Sequence, residues 1–182
     1  MRATFASGNT RFLLTVLIAV GAHGSPLAGQ SARNEYEVAA GAVFPKGQLG
    51  RDLGAGPVFR VSIQRRDPAK DIQFRLEAET WRMSSSALDG YGGLRAFSVA
   101  YDVMAGPTAA GIAPYALVGA GTQLVVNQNP DGYPGVLAIV RLGVGLRGSV
   151  GRNRLSLEIA GAGAVRNVFE YAYWPMTLGL TF

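Results

Sequence analysis

The sequence predicts an all-β fold: a closed, antiparallel, eight-stranded transmembrane β-barrel that follows an N-terminal signal peptide. Three observations predict it. Beyond Arg33 no segment holds a 3.6-residue apolar period over three turns, and apolar residues recur at every second position instead. Clusters of Gly, Pro, Asn and Asp break the alternation about every 8 to 12 residues. Charges of both signs, in nearly equal number, fall on the row opposite the apolar one, as an enclosed interior requires.

Composition sets the bounds. A chain of 182 residues holds one domain, two at most. Hydrophobic residues make up 48% and charged residues 16%, where a soluble chain has about 25% charged. Glycine, at 25 residues, has roughly twice its usual share. This balance excludes a charged disordered tail. The absence of cysteine excludes a disulfide framework, a thiolate metal site and a cysteine nucleophile.

Residues 1–30 read as a signal peptide, leaving 31–182 as the barrel. Arg2 and Arg11 form a basic start, Phe12 to Val20 an apolar core, and Gly21, Ala22, Gly24, Ser25, Pro26, Ala28 and Gly29 a small-residue end. The apolar core falls short of the about 20 residues that span a bilayer as a helix. Cleavage is expected between Ala28 and Ala32. It removes two arginines and leaves a net charge of about +3, from 15 basic and 12 acidic residues. It also removes His23, so the barrel segment has neither histidine nor cysteine. That excludes Ser-His-Asp catalysis and the common zinc sites.

Strands are expected near 35–44, 54–65, 71–83, 94–104, 113–126, 135–148, 153–165 and 173–182, with no helix, no internal repeat and no second domain. Turn chemistry separates them: Pro45-Lys46-Gly47, Asp67-Pro68, Asp89-Gly90, Gly106-Pro107, Asn129-Pro130-Asp131-Gly132 and Gly151-Arg152-Asn153. The first strand sets Tyr36, Val38, Ala40, Ala42 and Phe44 against Glu35, Glu37, Ala39, Gly41 and Val43. The second sets Phe59, Val61 and Ile63 against Arg60, Ser62 and Gln64. In the third, Ile72, Phe74, Leu76, Ala78 and Thr80 oppose Gln73, Arg75, Glu77, Glu79 and Trp81. The fourth has an apolar row of Phe97, Val99, Tyr101 and Val103. The sixth is the clearest: Val136, Ala138, Val140, Leu142, Val144 and Leu146 oppose Leu137, Ile139, Arg141, Gly143, Gly145 and Arg147. In the seventh, Leu155, Leu157 and Ile159 form the apolar row.

Alternation alone also fits a soluble sheet. The polar row decides against it, being rich in Gly, Ala and Ser where exposed strands carry Lys, Thr and Glu. Its charges nearly cancel, with Glu35, Glu37, Glu77, Glu79, Asp102 and Glu158 against Arg60, Arg75, Arg141, Arg147 and Arg154. Small residues leave room for long ones, and each buried charge needs a partner. The predicted lumen network is Glu37, Arg60, Arg75, Glu77, Glu79, Arg141, Arg147 and Glu158. The apolar row then faces lipid, where Arg or Lys costs about 2–4 kcal/mol at the midplane and far less at the interface. Outward aromatics at strand ends (Tyr36, Phe44, Phe97, Tyr101, Trp174 and Phe182) are expected to form interfacial girdles.

In the last strand Trp174, Met176, Leu178, Leu180 and Phe182 alternate with Pro175, Thr177, Gly179 and Thr181. With Pro114-Tyr115-Ala116-Leu117-Val118-Gly119-Ala120-Gly121, this ending resembles the eight-stranded outer-membrane β-barrel family of the OmpA/OmpX type, over residues 33–182. The resemblance implies a non-enzymatic monomer in the outer membrane of a Gram-negative-type bacterium, without a cofactor. It also implies an assembly signal, Met176, Leu178, Leu180 and Phe182, that the barrel-assembly machinery reads.

The remaining motifs have plain readings. Gly143, Gly145 and Gly148 match G-x-G-x-x-G, but no helix opens there to receive a pyrophosphate. Asn127-Gln128-Asn129-Pro130-Asp131-Gly132 has the opening residues of an EF-hand loop, yet the position for its bidentate Glu is Ala138. Glu77 and Glu79 could suggest a glycosidase pair, but beside Arg75 they read as a structural network. Arg82 and Arg95 fall on the outward row beside the 84–93 loop, as candidate contacts for lipopolysaccharide phosphates, with Lys46, Arg51 and Arg166 nearby. No basic and aromatic platform points to nucleic acid.

The expected protein is a small closed barrel, since eight strands leave an interior that side chains fill. Its role is structural, or surface contact through loops at 45–53, 84–93, 127–134 and 166–172. A secreted, soluble, lipocalin-like ligand-binding barrel is the alternative, distinguished by which row faces out. An outer-membrane lipid-modifying enzyme is a third reading. Such enzymes generally use a histidine, which the barrel segment lacks.

Overall fold

A computed structural model describes residues 33–47, 49–66, 71–84, 93–107, 111–127, 135–166 and 171–182. The expected leader and its cleavage site, the EF-hand-like turn beyond Asn127 and most of the predicted loops lie outside the described residues. The strands are β1 (Arg33–Lys46), β2 (Gly56–Arg66), β3 (Ile72–Met83), β4 (Leu94–Ala105), β5 (Ile112–Asn127), β6 (Val136–Val150), β7 (Asn153–Ala164) and β8 (Ala172–Thr181). Each pairs antiparallel with the next, and β1 pairs with β8, so the sheet closes. The seam runs from Lys46↔Ala172 to Glu37↔Thr181. It ends on two backbone hydrogen bonds: Tyr36 N–H donates to Phe182 O at 3.1 Å, and Phe182 N–H donates to Tyr36 O at 2.9 Å. Even the shortest strand, β8 with 10 residues, meets the about 9–11 that a tilted strand needs to cross a bilayer.

The side-chain period settles which row faces out. On β6 Leu142 is 70% exposed and Val144 57%, while Arg141 is buried. On β3 Arg75 has no exposed surface, and Phe74 beside it is 42% exposed. The soluble lipocalin-like alternative fails on this arrangement, because the ionised row is inside and the apolar row outside. The barrel is a transmembrane one: its jacket of Val, Leu, Ile and Phe has no place in water but suits acyl chains.

All six predicted girdle aromatics point outward. Near the turn end, which carries Arg33 and Phe182, Tyr101 stacks on Phe74 with ring centroids 5.9 Å apart and planes 19° from parallel. Phe44, Phe97 and Trp174 lie toward the opposite, loop end.

Two features differ from the sequence expectation. A one-turn helix, α1 (Leu49–Asp52), stands where none was expected. Leu53 N–H donates to Leu49 O at 2.9 Å, which sets Leu49 and Leu53 on one side of the turn. Both are buried over the mouth of the barrel. Burial of that pair drives the turn, and one turn is too short to give a periodicity. Second, the β7–β8 ladder skips from Ile159↔Met176 to Ala162↔Tyr173 without a change of register. Pro175, between them, has no N–H to give. Outside the skip, the Trp174 indole lies 3.7–3.8 Å from where a Cβ on Gly161 would stand.

Leu142→Arg therefore places a cation at mid-height on the outer wall, at a cost of about 2–4 kcal/mol. Val150→Arg, at the turn end, costs about 0–1 kcal/mol. Urea unfolding of the two variants in the same phospholipid vesicles measures the difference.

Candidate functional site: an ion-paired lumen

The lumen is filled in three layers. At the loop end β1, β2, β3, β4, β5, β7 and β8 contribute Val43, Val58, Trp81, Met83, Leu94, Ala96, Val125, Ala162 and Tyr173, and α1 brings Leu49 and Leu53 over them. Trp81 and Tyr173 meet with ring centroids 5.1 Å apart and planes 53° apart. Gln123 Nε2 donates to Tyr173 Oη at 2.9 Å. A cavity of about 10 Å3 remains between Leu49, Trp81, Leu137 and the two tyrosines Tyr171 and Tyr173. The sequence reading missed this apolar plug. Its residues share the parity of the charged row, so only their position near strand ends marks them out.

The middle layer is ionic. Among the described residues, five carboxylates (Glu37, Glu77, Glu79, Asp102 and Glu158) surround three guanidiniums (Arg60, Arg75 and Arg141), all buried. Glu158 is the hub. Arg75 Nη1 donates to its Oε2 at 2.7 Å, Arg60 Nη1 donates to its Oε1, and Arg141 Nη2 lies 3.9 Å away. Tyr115 Oη also donates to Glu158 Oε2, at 2.8 Å. Glu77 likewise meets all three arginines: Arg75 at 3.2 Å, Arg60 at 3.7 Å, and Arg141 in direct contact. Asp102 Oδ2 accepts from Arg75 Nη2 at 2.7 Å and Arg141 Nη1 at 3.3 Å. Glu37 takes Arg60 on one oxygen at 2.9 Å; the other accepts from Gln64, Ser156 and Thr181 at 3.0–3.3 Å. Glu79 is the least engaged, its nearest guanidinium nitrogen being Arg141 Nη2 at 4.0 Å.

Glycine makes two of these contacts reachable. Gly145 on β6 stands between Tyr115 on β5 and Glu158 on β7 in one cross-strand row. The Tyr115 ring lies where a Cβ on Gly145 would be, and so reaches Glu158 over it. Gly119 plays the same part between Asp102 and Arg141, and Asp102 Oδ1 fills its missing Cβ position. The G-x-G-x-x-G glycines thus lie within β6, Gly143 and Gly145 on the lumen row and Gly148 on the outward row, and strand β7 follows them rather than a helix.

At the turn end, Met104, Tyr115 and Leu117 pack together. Arg147 belongs here rather than to the carboxylate network. It donates to Gln73 Oε1 and to the carbonyls of Gly106 and Pro107 at 3.1 and 3.3 Å, and its guanidinium carbon lies 5.3 Å from the Tyr115 ring centre. Arg154 pairs with Glu35 at the rim, and Arg66 Nη1 is 3.8 Å from the same carboxylate. The near-neutral balance expected from the sequence counted these outlying arginines. The central cluster keeps two more carboxylates than guanidiniums, because register places Arg147 and Arg154 near the turn end.

Among the described residues no group of three or more His, Cys, Asp or Glu is arranged to hold a metal ion. The predicted Met176, Leu178, Leu180 and Phe182 all project outward. Arg82 and Arg95 also face outward, directly opposite one another across β3 and β4.

No family model matches the sequence, and no curated protein matches it. Solved structures do match the fold. Neisserial surface protein A superposes with a TM-score of 0.64 at 14% identity, over 84% of this chain and 98% of that one. The N-terminal β-barrel domain of Pseudomonas aeruginosa OprF superposes at 0.57 and 17% identity, over 84% and 98%. The fold is that of the small outer-membrane β-barrels. The OmpA/OmpX-type resemblance read from the last strand and the Pro114–Gly121 segment agrees with it.

The hub and the least engaged carboxylate are expected to respond differently. Glu158→Gln weakens contacts to three buried arginines and destabilises the barrel by about 3–5 kcal/mol. Glu79→Gln removes one of the excess negative charges at little loss of pairing, and leaves stability unchanged or raised. Denaturant unfolding at neutral pH distinguishes them. Gly145→Val, which drives Tyr115 off Glu158, is expected to destabilise by about 1–3 kcal/mol.

Proposed function

We propose that this chain is an integral outer-membrane protein of a Gram-negative-type bacterium. It acts as a monomer through its wall and loops, in a structural or surface-contact role, and is neither a pore nor an enzyme. The observation that carries the reading is the filled lumen. An apolar plug, an ion-paired layer and the Arg147 layer succeed one another along the axis, their side chains buried. An ion crossing this interior would have to displace packed side chains from all three layers.

The absence of histidine and cysteine from 31–182 supports the non-enzymatic part. The lumen carboxylates also face guanidiniums and are buried. Outward projection of Met176, Leu178, Leu180 and Phe182 fits their reading by the assembly machinery, since an incoming partner meets that face first. No cofactor enters the reading.

The test is expression of the whole chain, followed by gel analysis of the outer-membrane fraction with and without boiling. The unheated protein is expected to run faster than the boiled one. In planar lipid bilayers the purified barrel is expected to give no stable conductance steps. Recovery in the soluble periplasm would overturn the membrane reading, and reproducible steps would overturn the sealed lumen.

A further inference from the structure

Arg82 and Arg95 are direct partners in the β3–β4 ladder, and both side chains stand on the outer wall. Two like charges opposite each other on one face of a sheet repel. Among the described residues neither guanidinium meets a carboxylate, and neither has a hydrogen-bond or ion-pair partner to offset that repulsion. Their outward neighbours are Thr80 and Phe97 on the two strands themselves and Val126, which faces Arg95 from β5. Thr80 Oγ1 donates to Ala96 O at 3.0 Å, and neither arginine donates to it. The pair stands one residue from the loop ends of β3 and β4, just beyond Phe97 in the aromatic girdle. That height is the headgroup layer, where arginine is tolerated.

From this geometry we infer that Arg82 and Arg95 form a clamp for a lipid-borne phosphate monoester in the leaflet at the loop end. Each guanidinium offers a planar fork of N–H donors matched to phosphate oxygens. A monoester carries close to two negative charges and three acceptor oxygens, so one group satisfies both arginines and turns their repulsion into a bridge. A diester, with one charge, leaves the cluster with a net positive charge of one. The chemistry is that of phosphorylated glycolipids and phosphatidic acid, and the source is the membrane rather than free phosphate, because the lipid-facing wall holds the pair at headgroup height.

The clamp rests on the membrane-barrel reading, which fails separately if the full chain gives no compact unheated band in any vesicle; that result would overturn both. The experiment folds the full chain into phosphatidylcholine vesicles alone, or with phosphatidic acid or phosphatidylglycerol at equal mole fraction. It records the temperature at which the compact band is lost. Phosphatidic acid is expected to raise the wild-type midpoint more than phosphatidylglycerol does. Arg82→Gln and Arg95→Gln are each expected to abolish that difference. In pure phosphatidylcholine the same variants are expected to be at least as stable as the wild type, since the repulsion is gone. The clamp is overturned if the two anionic lipids act alike on the wild type, or if the Arg82→Gln/Arg95→Gln double variant keeps the difference. It is also overturned if inorganic phosphate added to phosphatidylcholine vesicles reproduces the shift.

Discussion

A backbone amide that meets acyl chains instead of water must find its partner on the next strand. This requirement sets the rest of the structure. It demands a sheet with no free edge, which the β1–β8 seam supplies, down to the reciprocal Tyr36 and Phe182 bonds. Once the sheet is closed, the two-residue side-chain period sends every second residue to the interior and the others to lipid. The inversion of polarity is then a consequence of closure in a membrane.

An interior filled with buried side chains raises the stakes for each charge. Removing one partner of a buried pair strands the other at a cost of several kcal/mol. The barrel meets this with shared partners. Glu158 and Glu77 each touch all three central arginines, so no guanidinium depends on one carboxylate. The crowding has a spatial cost, which the glycines relieve. A side chain on β5 reaches β7 only because Gly145 leaves the strand between them bare, and Asp102 reaches Arg141 over Gly119 in the same way. Gly119 and Gly145 thus serve an interior packed with long polar side chains.

The outward face was legible in the sequence because it depends on parity alone. The row Val136 to Leu146 can be read without knowing any neighbour, and the inward placement of Arg60, Arg75, Glu77, Arg141 and Glu158 comes with it. Partnership was not legible, because it depends on register across the sheet. Nothing local to Arg147 says that it meets Gln73 and two carbonyls rather than a carboxylate, or that the centre keeps an excess of acid. The plug was hidden for a related reason. Trp81, Met83 and Tyr173 sit on the charged parity, and their common purpose shows only when seven strands bring their loop ends together. Leu49 and Leu53 carried a faint signal, two leucines four apart in a segment otherwise read as turn.

The missing rungs beside Pro175 make the wall unequal around its circumference. Elsewhere the described ladders run without a skipped pair through the apolar belt, but between β7 and β8 two successive pairs are absent while the strands stay in step. A cylinder under lateral load parts where fewest bonds hold it, and here that place adjoins the closing strand. The Trp174 indole beside Gly161 shields the nick from the surrounding hydrocarbon while adding no bond across it. Tension in the bilayer would therefore act on this barrel as a directional stress, with β8 as the stave that lifts first.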